Sequence, residues 1–86
     1  MEDKKFKGLQ ERLEKLSWPS IYMFKFIVPT HKEEDLVNIF GGKVTERKYS
    51  QKGNYVSITS TFTVESSESV LRYYKEASRI EGVVAL

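Results

Sequence analysis

The chain has no cysteine, and that absence excludes more chemistry than any motif in it implies. Without thiols there is no disulfide framework, no thiolate nucleophile, and no cysteine-based zinc, iron–sulfur or copper-carrier site. Histidine occurs once, at His31. With no second imidazole or activated nucleophile near it in sequence, a solvated or helix-capping role is the simpler reading than a metal ligand or general base. No apolar run approaches the roughly 18 residues of a membrane span. The charged start Met1-Glu2-Asp3-Lys4-Lys5 leads into a polar helical pattern, not into the apolar core of a leader peptide. The expectation is an unprocessed cytoplasmic chain without a membrane partner. A dominant charge is missing too: 14 basic and 12 acidic residues leave a formal +2, which steers only weakly toward polyanions.

What is present is one domain of patterned sequence. Eighty-six residues are too few for two cores but enough to bury somewhat over ~60% of the unfolded surface. The most ordered stretch is Ser50 to Val64, a turn feeding an alternating strand. Val56, Ile58, Ser60, Phe62 and Val64 share one parity; Tyr55, Ser57, Thr59, Thr61 and Thr63 share the other. That period of two predicts a half-buried central strand, apolar on one face and hydroxylated on the other.

The rest of the chain covers this apolar face. Phe6, Leu9, Leu13 and Leu16 make a narrow stripe that predicts an amphipathic helix over residues 3–16, lying on its own domain or pairing with another chain. Ser17-Trp18-Pro19-Ser20 ends it, and Trp18 is expected to pin it to the sheet. Ile21 to Val28 is a second strand. Lys25 decides its orientation, because an unpaired lysine is rarely buried: Tyr22, Phe24, Phe26 and Val28 face the core, and Met23, Lys25 and Ile27 face away. A short helix follows from Thr30 or His31, with Leu36, Ile39 and Phe40 inward and Glu33, Glu34 and Asp35 at its N-terminal end. Gly41-Gly42 stops it. Lys43 to Tyr49 reads as a polar edge strand, and the turn at Ser50 to Asn54 closes a hairpin. Ser66 is the expected N-cap of a helix reaching about Arg79, buried through Val70, Leu71, Tyr74 and Ala77. Val83 to Leu86 is a last short strand.

This order predicts an α+β fold: a ferredoxin-like βαββαβ sandwich with an additional N-terminal helix and a four-stranded antiparallel sheet. Residues 1–16 form the N-terminal amphipathic helix and 17–86 the ferredoxin-like domain. Right-handed crossovers are expected to set Ile21–Val28 and Asn54–Val64 side by side and parallel at the centre.

Such a fold hosts many functions, so site chemistry has to choose among them. RNA-recognition sheets need exposed aromatics on both central strands, where this chain offers Met23, Lys25, Ile27, Ser57, Thr59 and Thr61, so single-stranded nucleic acid ranks last. Acyl-phosphate chemistry wants a glycine-rich, arginine-bearing loop after the first strand, and Val28-Pro29-Thr30-His31-Lys32 supplies neither. No catalytic residue, metal ligand or cofactor is assigned, and the chain is expected not to be an enzyme. The candidate binding residues are Ser50, Lys52, Gly53, Asn54 and Tyr55 of the turn, together with Lys25. Gly53 can take positive φ and Lys52 adds a charge, so the turn could hold an anion or a carboxylate tail; glycine and asparagine are equally what any tight hairpin uses. The candidate interface residues are Met23 and Ile27 on the uncovered sheet face, with Leu9 and Leu13 of the helix stripe able to cover them in the same chain or across a two-fold axis.

Several strings carry a family resemblance. Leu16-Ser17-Trp18-Pro19 precedes Phe24-Lys25-Phe26-Ile27; Ser50-Gln51-Lys52-Gly53-Asn54-Tyr55 precedes Ser57-Ile58-Thr59; then come Val70, Tyr74 and Ile80-Glu81-Gly82-Val83-Val84-Ala85-Leu86. Together they resemble the bacterial YbeD-like family of small uncharacterised proteins, over residues 16–86, with the Ser-x-Lys-Gly-Asn-Tyr string the most specific part. The resemblance implies a ferredoxin-like domain similar to the ligand-sensing ACT domains of amino-acid enzymes, a bacterial cytosolic setting, and no assigned reaction. Two departures stand out: Glu33 to Phe40 is a short first helix, and Val28-Pro29 stands where a glycine often ends the first strand, which speaks against a ligand pocket at that junction. The leading expectation is a regulatory or protein-interaction module, with a protein partner or self-association; the alternative is a sensor of an amino-acid-like small molecule.

Overall fold

Alternation in two ten-residue strands organises the molecule. The computed structural model describes residues 6–86, and Met1 to Lys5, including the start of the helix expected from residue 3, lie outside them. The elements are α1 (Lys7–Glu14), β1 (Ser20–Pro29), a 3-10 turn (Thr30–Lys32) running into α2 (Glu33–Ile39), β2 (Glu46–Tyr49), β3 (Tyr55–Val64), α3 (Ser67–Ala77) and β4 (Val84–Ala85). The sheet order is β2-β3-β1-β4, and every neighbouring pair is antiparallel. This is the four-stranded ferredoxin-like arrangement expected from the order of elements.

One expectation fails. The central strands β1 and β3 are antiparallel, with Ser20 opposite Val64 and Pro29 opposite Tyr55. The α2 crossover makes β2 run with β1, and the β2–β3 hairpin then reverses the chain, so the strand inserted between them must oppose both.

Alternation settles what each strand buries. Phe24, Phe26 and Val28 from β1 and Val56, Ile58 and Val64 from β3 are buried beneath Leu36, Val37 and Phe40 of the α2 region and Val70, Leu71 and Ala77 of α3. The Phe24 ring lies within 5.6 Å, centroid to centroid, of Tyr22, Phe40, Phe62, Tyr73 and Tyr74. Aromatic pairs at such separations contribute about 0.5–1.5 kcal/mol each beyond their area. Phe62 and Tyr74, expected to be largely buried, are half-buried at the edge of this cluster. The Tyr74 hydroxyl lies 3.2 Å from that of Tyr22, and the Lys43 ammonium stands 4.9 Å over the Phe62 ring.

Helix α1 packs against α3, on the helical side of the sheet. Leu13 is buried in the chain's own core, Phe6 and Leu9 pack against it, and the Trp18 indole N–H donates to the Leu13 carbonyl at 3.0 Å. The candidate interface role of Leu9 and Leu13 is thereby corrected: their stripe is engaged within the chain and does not lie over Met23 and Ile27. Leu13 joins the buried layer that also holds Val70, Leu71 and Ala77 of α3.

The remaining elements are shorter than expected. β2 starts at Glu46 because Val44 turns toward the core and Thr45 N–H bonds the Thr59 carbonyl at 2.8 Å. β4 starts at Val84 because Val83 N–H still bonds Ile80 at 3.2 Å. Helix α3 ends at Ala77, and its N-cap is Ser66, whose Oγ accepts from Ser69 N–H at 3.2 Å, as its sequence position suggests.

Candidate functional site

Among the described residues, no helix lies over one face of the sheet. Pairing register places its residues in rows. Glu46, Thr59 and Lys25 form one row across β2, β3 and β1. Lys48, Ser57, Ile27 and Val84 form the next, and Met23 pairs with Thr61 on the other side of the Lys25 row. Leu86 closes the Lys25 row, its main-chain N–H donating to the Lys25 carbonyl at 2.9 Å. Large apolar side chains stand in solvent here: Ile21 is 74% exposed, Met23 60%, Leu86 62% and Val84 51%. Thr59 is the exception, being 7% exposed where the alternation expects solvent. It stands between two long side chains, Lys25 and Glu46, one of each charge. These two are not paired with each other; the ion pair found among the described residues is Arg47–Glu33.

The Ser50–Tyr55 turn sits at the end of this face. Gly53 has φ +77°, as expected from its place in the turn, whereas no non-glycine residue described has positive φ, Asn54 included. The polar groups of the turn are largely engaged inside it. Gly53 N–H donates to the Ser50 carbonyl at 2.9 Å, Tyr55 N–H to Ser50 Oγ at 3.0 Å, and Ser50 N–H to the Tyr55 carbonyl at 2.8 Å. Thr30, at the start of the 3-10 turn, donates its Oγ1 to the Gly53 carbonyl at 2.6 Å and its N–H to the Asn54 carbonyl at 2.9 Å. The hairpin tip is thus tied to the first crossover. Ser50 and Tyr55 meet Ile27, Lys48, Tyr49 and Ser57 in a shallow groove of about 200 Å³. Lys52, Gly53 and Asn54 are not among its walls, and Lys25 is one row removed, so the structure divides the sequence-derived set between the tip and the sheet face.

Two features lie outside that set. Glu33, at the start of α2, accepts from Arg47 at 2.6 Å and from the Tyr49 hydroxyl at 2.7 Å, and that hydrogen bond raises the Tyr49 phenol above its ordinary range. Arg47 and Tyr49 oppose Ile58 and Val56, so they reach the helical side and clamp the edge strand to α2. Their spacing of two within β2 is the sequence signal for that shared face. The second is a cavity of about 430 Å³ at the C-terminal end of α3, with Phe26 and Tyr74 among its walls and Arg79 and Glu81 beside them. It brings together residues more than fifty positions apart, which sequence spacing does not reveal.

Among the described residues no helix is long and apolar enough to cross a membrane, and no group of three or more His, Cys, Asp or Glu could hold a metal ion. No curated protein and no solved structure matches the chain. A family model does: it covers residues 14–86, the stretch that holds the whole sheet, α2, α3 and the Ser50–Tyr55 turn, and its description is that of a protein of unknown function, DUF493. The YbeD-like resemblance read from Leu16 to Leu86 therefore holds, and the chain belongs to this DUF493 family of uncharacterised proteins.

Proposed function

We propose that the protein is a non-catalytic protein-interaction module, regulatory in effect, that works in the cytoplasm through the bare face of its sheet. The observation that carries this reading is the exposure of Ile21, Met23, Val84 and Leu86 together on one face. Single exposed apolar residues are ordinary, but several together on one side of a sheet mark a surface that another molecule covers. The partner's chemistry follows from the face: an apolar layer for Met23 and Ile27, an acidic group for Lys25 and a basic one for Glu46. A photoreactive residue at Met23, with a control at exposed Glu76 on α3, tests it in the producing cell. Adducts at position 23 and none at 76 are expected; no adduct at 23, or equal labelling at both, overturns the reading.

A second reading, a small-ligand sensor, is favoured by the 430 Å³ cavity, whose aromatic floor and opposite charges at Arg79 and Glu81 suit a zwitterion with an apolar tail. A thermal-shift screen of amino acids against wild type and Arg79→Ala tests it. A ligand that raises the melting temperature of wild type alone supports the sensor, and a flat screen removes it.

A further inference from the structure

A two-fold axis sets every residue lying on it against its own copy, so a charged residue on the axis meets the same charge. This constrains how two outer faces could meet. An axis along β1 sets Lys25 against Lys25, and an axis along β2 sets Glu46 against Glu46 and Lys48 against Lys48. Of these three ten- or four-residue strands, only β3 presents an outer face without charge: Tyr55 at its end, then the small side chains of Ser57, Thr59, Thr61 and Thr63. The residues flanking it in the Thr59 row are Lys25 on one side and Glu46 on the other.

Resting on the reading of this face as an interaction surface, we infer that its partner is a second copy of the chain, stacked face to face about an axis along β3, with Lys25 of each copy against Glu46 of the other. Rotation about that axis exchanges the β1 side with the β2 side and keeps each row in place. Lys25 then lies over Glu46 of the second copy, twice over, and Thr59 lies over Thr59. Sheets stack about 10 Å apart, a gap that a lysine and a glutamate span between them, while the small hydroxyl side chains on the axis allow the approach. In the next row the aliphatic stem of Lys48 covers Ile27 and its ammonium reaches the rim. Met23, next to the Lys25 row, loses its water with it. The symmetry also accounts for an otherwise unused arrangement: two opposite charges on either side of Thr59 that form no ion pair among the described residues.

The test is a charge exchange read by sedimentation velocity, on Lys25→Glu, Glu46→Lys, their 1:1 mixture and the double variant. Both positions are exposed, so the variants keep the fold, as circular dichroism checks. Wild type is expected at dimer mass. Each single variant, which sets like charges together, is expected at monomer mass. The mixture re-forms a dimer, since the two acidic groups of one copy then face the two basic groups of the other, and the double variant dimerises on its own. Thr61→Lys, which places a charge on the axis, dissociates the dimer without touching the Lys25 row. Wild type at monomer mass up to millimolar concentration overturns the inference, as does a single variant that stays dimeric or a mixture that stays monomeric. The adduct at Met23 separates this failure from that of the underlying reading: an adduct of twice the chain mass supports the second copy, a different mass leaves the interaction surface and removes the second copy, and no adduct removes both.

Discussion

The two faces of the sheet are made by the same residues' neighbours, one position apart, and they have opposite fates. Phe24 is fully buried and Met23 beside it is 60% exposed; Ile58 is 1% exposed on the inner face, and Thr61 stands in solvent on the outer. Both faces carry large apolar side chains. They differ in what lies above them: three helices contribute Leu13, Leu36, Val37, Val70, Leu71 and Ala77 to the inner face, and no described element lies over the outer one. Hydrophobicity therefore does not distinguish the core from the candidate site. Packing partners do, and an apolar residue left without them is the feature that bears on function.

Truncating one residue on each face breaks the comparison most directly. Phe24→Ala should cost about 3–5 kcal/mol, from lost transfer energy and the cavity left among five rings. Met23→Ala in the dilute protein should change stability by less than about 0.5 kcal/mol, as surface substitutions do. Denaturant melts of the two variants check it, and similar costs would mean that the outer face is covered within the chain.

The edge of the sheet gives the next largest effect. Gly82, leading into β4, has φ +85°, and a β-carbon there would meet Pro29 Cγ at 2.9 Å. Gly53 has φ +77° with open space around it. Gly82→Ala should therefore combine backbone strain with a clash and cost about 2–3 kcal/mol, against about 1 kcal/mol for Gly53→Ala. Equal losses in thermal melts would show that the contact with Pro29 gives way freely.

A smaller effect concerns the rim of the inner face. Burial, and then the hydrogen bond with Tyr22, push the Tyr74 phenol well above its ordinary range. A group whose protonated form is favoured in the folded state stabilises below the unfolded pKa of about 10 and loses that contribution as pH rises above it. Tyr74→Phe removes the ionisable group, so its stability should fall less steeply than that of wild type between pH 10 and 12, measured by urea melts across that range. Parallel pH profiles would mean that Tyr74 is more open to water than its packing indicates.

The smallest effect sharpens the comparison from inside. Ser60 lies on the inner face, fully buried, and its hydroxyl finds no partner among the described residues. Desolvating a hydroxyl without a hydrogen bond costs about 1–3 kcal/mol, so Ser60→Ala, which removes the group and leaves almost no void, should be neutral or stabilising by up to about 1 kcal/mol. A loss of stability would show that the Ser60 hydroxyl is hydrogen-bonded in the folded protein.

Much of this was legible in the residues alone. Lys25 oriented β1 correctly because an unpaired ammonium stays in water, and Ser66, Gly53 and Gly41-Gly42 marked a cap, a turn and a helix end through local chemistry. The outer-face positions of Met23, Lys25 and Ile27 followed from parity. Other features did not follow. The turn residues Lys52, Gly53 and Asn54 proved separate from the sheet face, because Thr30 ties the hairpin tip to the crossover through bonds between residues 23 and 24 positions apart.

The sequence by itself determined which side chains share a face, the Ser66 cap that opens α3, the glycines that follow α2, and that the order of elements is ferredoxin-like, since each rests on periods and caps spanning a few residues. Only the tertiary structure decided that β1 and β3 are antiparallel, that α1 lies on α3 and leaves Met23 bare, and that Glu46, Thr59 and Lys25 stand in one row. The physical reason is range. A period of two says which face a residue takes, but the row it occupies depends on which distant strand pairs with it and in what register, and that is settled by the long-range packing of the whole chain.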